Sequence, residues 1–472
     1  MLVKMSNTSM CIDMRFRPVR LIRSLFMVVL ILFVFLNLHV LMNFEPRNPD
    51  MYDRTLLYKL RHSNILNAHV QIDRSQLSDA WILENNSKVE LLILPNEYNQ
   101  TFVSSNVRGD NLTQIKIEID RINAQQYVHN LHRFGLILGP ESVVIVVQVH
   151  DRSNYLKILL DSLRKVKGIE KTLLIFSHDV YSQELNSIVQ SIDFCPVMQI
   201  FFPVSAQLHP KEFPGEHPND CPRNVKKEEA LKLKCNNAEH PDKYGHYREA
   251  SYCQTKHHWF WKLFRVFDDL TVMRNYTGLV LLLEEDYYVA PDIITILQMM
   301  NHLKKRDCKD CKMLTAGNYD KAQSYSSQSG QVELGHWISS RHNMGMTFNR
   351  DLWKEIKTCA AEFCNFDDYN WDWTLQHLSM KCIPDKIKVM KMKATRVFHI
   401  GECGVHHKGK NCQPDNKKKQ IEEELQANKQ HFFPNVLSVG GQSKFKLRDP
   451  KPNGGWGDIR DRDLCMSFTK GH

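Results

Sequence analysis

Residues 143–176 read VVIVVQVHDRSNYLKILLDSLRKVKGIEKTLLIF, and this stretch decides the fold class. Val143–Val149 and Thr172–Phe176 are apolar runs of strand length, and Tyr155–Val166 between them has the spacing of an amphipathic helix. A strand, a helix and a second unbroken apolar strand predict a βαβ unit of a buried parallel sheet, and so an α/β fold. No GxGxxG follows the first strand and no GxxxxGKS or GxxxxGKT occurs, so neither a dinucleotide fold nor a P-loop is indicated.

Composition excludes several classes of protein. The 472 residues are 42% hydrophobic and 24% charged, with a mean hydropathy of −0.41, which excludes a mostly disordered chain and a multi-pass membrane protein. The net charge of +9 is carried partly by residues 1–24, which hold five basic residues and one acidic residue. An excess of this kind does not indicate a nucleic-acid partner.

The run Leu25–Met42 has 18 residues without a formal charge and follows the basic N-terminus. It predicts a signal-anchor that leaves the N-terminus in the cytosol and the bulk of the chain in the lumen. The alternative is a cleaved signal peptide, but the apolar run is long and no small-x-small cleavage site follows. We therefore expect a cytosolic tail over 1–24, an anchor over 25–42, a stem over 43–112 and a catalytic domain over 113–472.

Twelve of the 13 cysteines follow the anchor, and an even number in an oxidising lumen predicts disulfides. Cys308 and Cys311 form a CxxC in a polar segment, which we interpret as a loop closed by a small disulfide. A zinc site would need a second ligand pair at zinc spacing, and a redox motif would open a helix. Four Asn-x-Ser/Thr triplets beyond the anchor, at Asn85, Asn99, Asn111 and Asn275, also suit a lumen.

The strongest chemical signal is LVLLLEEDYYVAPD, residues 279–292, where an apolar strand ends in Glu284, Glu285 and Asp286. Adjacent acids at a buried strand end are costly unless a positive group compensates them. Mg²⁺ or Mn²⁺ with phosphate oxygens is the natural partner at the carboxyl end of a strand. The alternative is a solvated helix start, which Asp292 after Pro291 fits better than Asp286 does.

A second acid-rich segment is NFDDYNWDW, residues 365–373, in which Asp367, Asp368 and Asp372 alternate with aromatic residues. Aromatic faces stack on sugar rings, and a carboxylate can accept a hydroxyl proton. A polar turn that caps the following helix, with Trp371 and Trp373 in the core, explains the segment equally well. His399 at a strand end is a plausible further metal ligand, and an imidazole ligand favours Mn²⁺.

The remaining elements are predicted more coarsely. Residues 205–250 should form a polar loop region, and 365–378 a mixed segment. We expect helices over Ile115–Phe134, Gln254–Phe264 and Trp353–Cys359, and strands over Leu279–Leu283 and Ala394–Phe398.

The anchor, stem, βαβ start and acid triplet together look like a Golgi glycosyltransferase of the GT-A fold, a Rossmann-type mixed sheet flanked by helices. Longer sequence blocks indicate a resemblance to one family of these transferases. The blocks VVIVVQVHDR, FSHD, FPGEHPNDCPR, HYREASYCQTKHHWFWKL, LEEDYYVAPD, HNMGMTF, FDDYNWDWTLQ, VFHIGECGVHHK and GGWGDIRD, spread over residues 115–472, resemble the N-acetylglucosaminyltransferase II family of N-glycan processing.

The resemblance implies an inverting transfer from UDP-N-acetylglucosamine to the 2-hydroxyl of the α-1,6-arm mannose of a glycoprotein N-glycan, with Mn²⁺. It implies that Asp286 and His399 bind Mn²⁺ and that Asp372 is the general base. Donor contacts would come from Gln148, Val149, His150, Asp151, Arg152, Asp179, Gln254, Thr255, Lys256, His257, His258 and Glu285. Weaker candidates for sugar contacts are Arg223, Tyr319, Asn343 and Trp371.

The resemblance also implies the disulfides Cys221–Cys235, Cys308–Cys311, Cys359–Cys382, Cys364–Cys465 and Cys403–Cys412. It leaves Cys195 and Cys253 either free or paired with each other. A Golgi membrane location follows, and a homodimer is a further expectation. The alternatives left open are a related transferase for another mannose, an inactive glycan-binding homologue, and a glycosidase that needs no metal.

Overall fold

The computed structural model describes residues 80–85, 88–93, 111–401 and 414–470. The predicted tail, the anchor, most of the stem, and Cys403 with Cys412 lie outside these residues. Within the described ranges, no helix is both long and apolar enough to cross a membrane.

The strands of the described chain are short, and the buried ones carry the apolar runs seen in the sequence. They are β1 Ala80–Asn85, β2 Lys88–Ile93, β3 Val128–His129, β4 Ile137–Leu138, β5 Val143–Val149, β6 Leu174–His178, β7 Val197–Phe201, β8 Leu279–Glu284, β9 Tyr287–Val289, β10 Cys311–Thr315, β11 Gln331–His336, β12 Met346–Phe348, β13 Lys388–Met392, β14 Val397–His399 and β15 Ser438–Gln442.

The α-helices of the described chain connect these strands. They are α1 Leu112–Gln125, α2 Leu131–Phe134, α3 Ser153–Leu163, α4 Gln183–Gln190, α5 Lys227–Leu233, α6 Ala250–Phe264, α7 Ile293–Asp307, α8 Tyr325–Gln328, α9 Ser339–His342, α10 Arg350–Thr358, α11 Ala360–Asn365, α12 Trp371–Lys381, α13 Pro414–Ala427 and α14 Ile459–Ser467.

One mixed sheet of ten strands organises the molecule, in the order β15-β11-β13-β10-β12-β8-β5-β6-β7-β3. β8, β5, β6 and β7 are parallel, while β12 runs antiparallel to both β8 and β10. β9 and β14 form a separate antiparallel pair. The prediction of an α/β fold with a mixed sheet is therefore confirmed.

Different helices pack on the two faces of the sheet. The side chains of β5, which point alternately to one face and the other, show this. Val144 and Val146 pack with α6, α10 and α12 on one face, while Ile145 and Val147 pack with α3, α4 and α7 on the other. Both faces of the central strands are covered, which is why those strands read as unbroken apolar runs.

The prediction of a single helix over Ile115–Phe134 is wrong in its second half. α1 ends at Gln125, and Gln126 adopts the left-handed conformation with a φ of 47°. The chain then enters β3, which adds to the sheet edge by pairing with β7 and buries Val128. Residues 205–250 are largely loop as expected, but they also contain α5.

Four of the five expected disulfides are present among the described residues. They are Cys221–Cys235, Cys308–Cys311, Cys359–Cys382 and Cys364–Cys465. The fifth, Cys403–Cys412, falls outside the described chain. Cys195 and Cys253 are buried and free, so the two do not pair with each other.

Candidate active site

The polar ends of three neighbouring parallel strands meet at one edge of the sheet. Gln148 of β5 lies opposite Glu284 of β8 on one side and opposite Ser177 of β6 on the other. The residues that follow these three, among them Asp179 and Asp286, therefore emerge at the same edge. This is the position at which ligands bind in open α/β sheets.

The acids Glu285 and Asp286 share a cationic partner, Arg152. The Arg152 Nε donates to Glu285 Oε1 at 2.6 Å, and its Nη1 donates to Asp286 Oδ2 at 2.8 Å. The backbone N–H of His150 also donates to Glu285, at 2.8 Å. Part of the positive charge that the acid triplet requires therefore comes from the chain itself.

Asp286 and His399 form the candidate metal pair. Antiparallel pairing of β9 with β14 sets His399 opposite Tyr287, and the His399 Nε2 lies 3.3 Å from Asp286 Oδ2. Burial alone would raise the pKa of Asp286, but His399 and Arg152 outweigh it and lower that pKa. No cluster of three or more metal-ligating side chains occurs in the described part of the chain.

Two observations fit this pair to an ion. Asp286 Oδ1 is buried and has no hydrogen-bond partner among the described residues, so one carboxylate oxygen is left for a ligand. Gly401 borders the pair so closely that a Cβ there would stand 2.3 Å from Asp286 Oδ2 and 2.9 Å from His399 Nε2. A side chain at Gly401 would therefore fill the space beside Asp286 Oδ2 and His399 Nε2.

Glu284 differs from its two neighbours because the buried Lys262 is the positive charge that acts on it most strongly. Burial, and then the charge of Asp286, raises the pKa of Glu284, while burial lowers the pKa of Lys262. The Lys262 Nζ donates to Gln148 Oε1 at 2.7 Å. The ammonium therefore fixes the amide of Gln148 at the strand end.

Asp179 is in contact with polar side chains from the residue after β5 and from α6. It accepts from His150 Nδ1 at 2.7 Å and from Gln254 Nε2 at 3.0 Å, and His258 Nδ1 lies 3.6 Å away. Burial would raise the pKa of Asp179, but His150 and His258 lower it well below its usual range. The carboxylate is thus charged and joins the helix to the sheet edge.

The side chains of the predicted donor block Gln254–His258 do not form one surface, and its assignment to the donor stays a prediction. Residues four apart share a helix face, so Gln254 and His258 both reach Asp179. Lys256 instead donates to the carbonyls of Phe366 and Asp368, at 3.0 and 2.8 Å.

His257 and Thr255 also turn away from Asp179. His257 Nε2 lies 3.0 Å from Asp461, and Thr255 bonds to a carbonyl of its own helix. The side chain of Val149 is buried in the core, and that of Asp151 is 63% exposed. Only the backbone of Val149 remains at the strand end.

Asp372 lies in the first turn of α12 and is held by side chains from α9 and its flank. It accepts from Ser339 Oγ at 2.6 Å and from Asn343 Nδ2 at 3.3 Å, and from the N–H of Trp373 at 2.9 Å. Tyr319 Oη donates to Asn343 Oδ1 at 2.9 Å. Tyr319, Asn343 and Asp372 thus form one hydrogen-bonded chain.

Tyr319 connects this chain to the metal pair electrostatically. Burial raises the pKa of Tyr319, and the charges of Glu284, Asp372 and Asp286 raise it further. The same three carboxylates act on Tyr287. The Tyr319 phenol is therefore within electrostatic reach of both Asp372 and Asp286.

Two candidate sugar contacts lie elsewhere. Trp371 is buried and stacks on Trp259 with ring centroids 4.6 Å apart, so it belongs to the core. Arg223 forms an ion pair with Glu249 at 2.7 Å and a hydrogen bond to Asn224. Trp371 precedes Asp372 in the chain, but its ring faces Trp259, and Arg223 is paired with Glu249.

Known proteins are similar to this chain over most of its length. The family model described as N-acetylglucosaminyltransferase II (MGAT2) matches residues 116–465. The chain belongs to this family. Proteins named "Alpha-1,6-mannosyl-glycoprotein 2-beta-N-acetylglucosaminyltransferase" from Rattus norvegicus and Homo sapiens are 48% and 46% identical over 365 and 364 residues. These matches cover 76% and 77% of this chain and 82% and 81% of the relatives.

More distant similarities add less. The Arabidopsis thaliana protein of the same name is 36% identical over 338 residues, which cover 70% of this chain and 76% of that protein. The crystal structure of S. aureus TarS 1-349 in complex with UDP-GlcNAc has a TM-score of 0.30 and 9% identity, and the match covers 69% of this chain and 71% of that chain. A likeness at that level bears neither on the fold nor on the ligand.

Within this N-acetylglucosaminyltransferase II family member, sequence reasoning missed several groups around the predicted residues. Tyr287, Ser339, Lys262 and Gly401 were not singled out, and Arg152 was assigned to the donor rather than to the acid triplet. The sequence could have indicated that Arg152 pairs with the acid triplet, because buried carboxylates need a compensating cation. Ser339 carried no such signal, since its meeting with Asp372 depends on how α9 packs on α12.

Proposed function

We propose that this chain is an inverting, Mn²⁺-dependent glycosyltransferase of the GT-A type. It moves N-acetylglucosamine from UDP-N-acetylglucosamine in β-1,2 linkage to the α-1,6-arm mannose of N-glycans. The observation that carries the proposal is the contact between Asp286 and His399, together with the hydrogen bonds that hold Asp372 to Ser339 and Asn343. Membership of the N-acetylglucosaminyltransferase II family, whose relatives bear that enzyme name, supports the choice of donor and acceptor.

Asp286 and His399 would hold the metal. The open Oδ1 of Asp286 and the space left by Gly401 support this assignment, and a carboxylate with an imidazole suits Mn²⁺. When bound, the ion offsets the negative charge that builds on the departing diphosphate. Arg152 would help in the same way, because its guanidinium offsets part of the negative charge of Glu285 and Asp286 and so reduces repulsion of the donor.

The donor nucleotide would lie along the ends of β5 and β6. His150, Asp179, Gln254 and His258 form a connected set there, and Lys262 fixes Gln148 beside it. Asp179 and Gln148 offer acceptor oxygens for N–H and O–H groups of a nucleoside, and the two imidazoles offer further polar contacts. Because these side chains bond to one another, they are oriented before the donor arrives.

Asp372 would be the general base. The acceptor hydroxyl oxygen bonds to the anomeric carbon of N-acetylglucosamine, the bond from that carbon to the diphosphate oxygen breaks, and the hydroxyl proton moves to Asp372. Ser339 and Asn343 hold the carboxylate by hydrogen bonds, and Tyr319 holds Asn343. A group positioned in this way contributes about 10²- to 10⁴-fold to the rate.

The proposal extends to location. Residues 25–42 would anchor the chain in the Golgi membrane with the catalytic domain in the lumen. The four disulfides between described cysteines support an oxidising compartment. Protease protection of a tagged chain in sealed Golgi vesicles tests this orientation: the C-terminus should survive digestion and the N-terminus should not.

The decisive experiment incubates the full chain with UDP-N-acetylglucosamine, Mn²⁺ and defined mannosyl acceptors, and maps the product linkage by mass spectrometry. A β-1,2-linked product on the α-1,6-arm mannose supports the proposal. A product on another mannose indicates the related transferase. Glycan binding without product indicates an inactive homologue, and hydrolysis without metal indicates a glycosidase.

A further inference from the structure

A buried ion pair between Asp292 and Arg396 has no role in the proposed function. Both side chains are fully buried, and the Arg396 Nε donates to the two oxygens of Asp292 at 2.8 and 3.0 Å. The sequence pattern favoured Asp292 as the start of a helix. It does precede α7, but its side chain makes no capping hydrogen bond there. Burying two charges is costly, so stability alone is a weak reason for this pair.

The ion pair closes one end of the ribbon formed by β9 and β14. The N–H of Ala290, just after β9, donates to the carbonyl of Arg396, just before β14, at 2.9 Å. At the other end, the N–H of Ile400 donates to the carbonyl of Asp286, also at 2.9 Å. The ribbon therefore has the ion pair at one end and the candidate metal pair, Asp286 with His399, at the other.

The ribbon is too short to hold its own register. Each strand has three residues, and an isolated two-stranded ribbon is at best marginally stable. A slip of one residue would turn every side chain of β14 to the opposite face. His399 would then point away from Asp286, so these two side chains meet only in the observed register.

The ion pair ties its end of the ribbon to two other segments. The Arg396 Nη2 donates to the carbonyl of Ser329, after α8, at 3.3 Å, and its guanidinium lies 4.9 Å from the centroid of the Phe432 ring. The Oδ2 of Asp292 also accepts the N–H of Phe433 at 3.1 Å. Because these contacts have different directions, they hold the guanidinium and the start of β14 in one place.

The pair lies too far from the metal pair to bind the ion itself. Strands rise by about 3.3 Å per residue, so Arg396 and His399 are separated by about 10 Å along the chain. The guanidinium of Arg396 also turns toward Asp292, at the opposite end of the ribbon from Asp286. Any influence on the metal site therefore passes through the ribbon.

We propose that the ion pair between Asp292 and Arg396 is a positioning pair for the metal site, which fixes the register of the ribbon and so sets His399 against Asp286. The inference rests on the proposed function, since it takes Asp286 and His399 to bind Mn²⁺. It assigns no contact with substrate to Asp292 or Arg396. Weaker metal binding, and not only lower stability, should follow when the pair is altered.

The test measures Mn²⁺ binding to the full chain by electron paramagnetic resonance at saturating UDP. Arg396→Lys keeps the charge but loses the planar fork, and Asp292→Asn keeps the shape but loses the charge. We expect the Kd for Mn²⁺ to rise about tenfold in both, because loss of a group that orients metal ligands typically costs about 10- to 100-fold in affinity. Saturating Mn²⁺ should restore most of the turnover, since Asp372 is unchanged.

The matched control is Arg248→Lys. Arg248 is also buried, and its Nε donates to the buried Asp461 at 2.8 Å, but this pair joins the segment before α6 to α14. Denaturant unfolding should show a loss of stability in both lysine variants, whereas Arg248→Lys should bind Mn²⁺ as the wild type does. Wild-type affinity in either Arg396→Lys or Asp292→Asn, or equal weakening in Arg248→Lys, overturns the proposal.

A double variant keeps the test open if the single variants fail to fold. Asp292→Leu combined with Arg396→Met removes both charges together, and replacing a buried ion pair by apolar residues often preserves stability. The directed contacts of the guanidinium are still lost. A folded double variant that binds Mn²⁺ about tenfold more weakly supports the proposal. A folded double variant with wild-type affinity overturns it.

Failure of the proposed function gives a different result. If the wild-type chain binds no Mn²⁺, the metal assignment fails, and hydrogen exchange read by mass spectrometry still tests the ribbon. The amides of Ala290 and Ile400, which bond across it, should exchange about tenfold faster in Arg396→Lys and at the wild-type rate in Arg248→Lys. Unchanged exchange in Arg396→Lys, or equal acceleration in both variants, overturns the proposal.

Discussion

The two acid-rich segments of this chain look alike in sequence and are compensated differently in the fold. Glu285 and Asp286 follow a buried strand and pair with the side chain of Arg152. Asp367 and Asp368 lie in a turn and accept backbone N–H groups from elsewhere in the chain, including those of Trp456 and Asn453. The carboxylates of Glu285 and Asp286 form ion pairs with a cation, whereas those of Asp367 and Asp368 accept N–H groups and hold loops in place.

The number of hydrogen-bond partners on each carboxylate oxygen distinguishes a structural carboxylate from one that is available to a ligand. Both oxygens of Asp368 are occupied, by the N–H and side-chain amide of Asn370 and of Asn453. Asp286 keeps one oxygen without a partner among the described residues. Asp372 is the member of the second segment that faces the site, because α12 begins there and turns it toward Ser339.

The largest effect expected within this comparison is that of Asp372→Asn. The amide cannot accept the hydroxyl proton, so turnover should fall about 10²- to 10⁴-fold. UDP binding, measured by calorimetry with Mn²⁺ present, should be retained, since Asp372 lies on the acceptor side. Near-normal turnover would rule Asp372 out as the base.

Asp286→Ala should impair donor binding, which Asp372→Asn should leave intact. Removing the carboxylate takes away one of the two proposed ligands, so Mn²⁺-dependent UDP binding should be lost. Calorimetric titration of UDP with and without Mn²⁺ measures this, and Asp367→Asn is the control for loss of an acid outside the site. An affinity for UDP equal to that of the wild type would contradict the assignment of Asp286 as a metal ligand.

Arg152→Met tests whether the first segment depends on a cation. The variant leaves the buried Glu285 without its ion pair and leaves Asp286 with His399 alone, and breaking a buried pair typically costs about 3–5 kcal/mol of unfolding free energy. Arg152→Lys should lose less, and added Mn²⁺ should recover part of the loss. Denaturant unfolding measures these differences, and a methionine variant as stable as the wild type would contradict the role of Arg152.

Asp368→Asn tests the structural assignment of the second segment. The NH2 group of asparagine replaces one of the two accepting oxygens and faces N–H donors, so unfolding free energy should fall by about 1–3 kcal/mol. Turnover per folded molecule should stay within about twofold of the wild type. If turnover instead fell as far as in Asp372→Asn, Asp368 would belong to the reaction.

The smallest effect is the pH dependence of the pair between His150 and Asp179. Burial lowers the pKa of His150, but Asp179 and its neighbours outweigh burial and raise it from 6.5 to about 9. A raised folded-state pKa means that the stabilisation is full below 6.5 and is lost as pH rises through about 9. The melting temperature of the wild type should exceed that of His150→Gln at low pH, and the gap should close over this window.

His150 is half exposed, so solvent screens this pair and the gap should be small. A gap that widens with rising pH would show that the sign is wrong. His302→Gln, which changes an exposed histidine on α7, controls for general effects of losing an imidazole.

The sequence predicted the central part of the fold because local patterns decide it. β5 has the predicted bounds Val143–Val149, and β8 begins at Leu279 as predicted and ends at Glu284, one residue beyond the predicted Leu283. A buried strand can be recognised from its own side chains, since every position must be apolar. The break at Gln126 was missed because β3 depends on an edge of the sheet, β7, that lies about 70 residues away in the chain.

The sequence by itself determined the α/β class, the family blocks and the acid triplet at a strand end, because strands, turns and motifs are written in neighbouring residues. Only the tertiary structure decided which of those acids keep an open oxygen, that Trp371 belongs to the core, and that Ser339 and Asn343 hold Asp372. These are contacts between distant segments, and they follow from how helices pack on the sheet rather than from any local pattern.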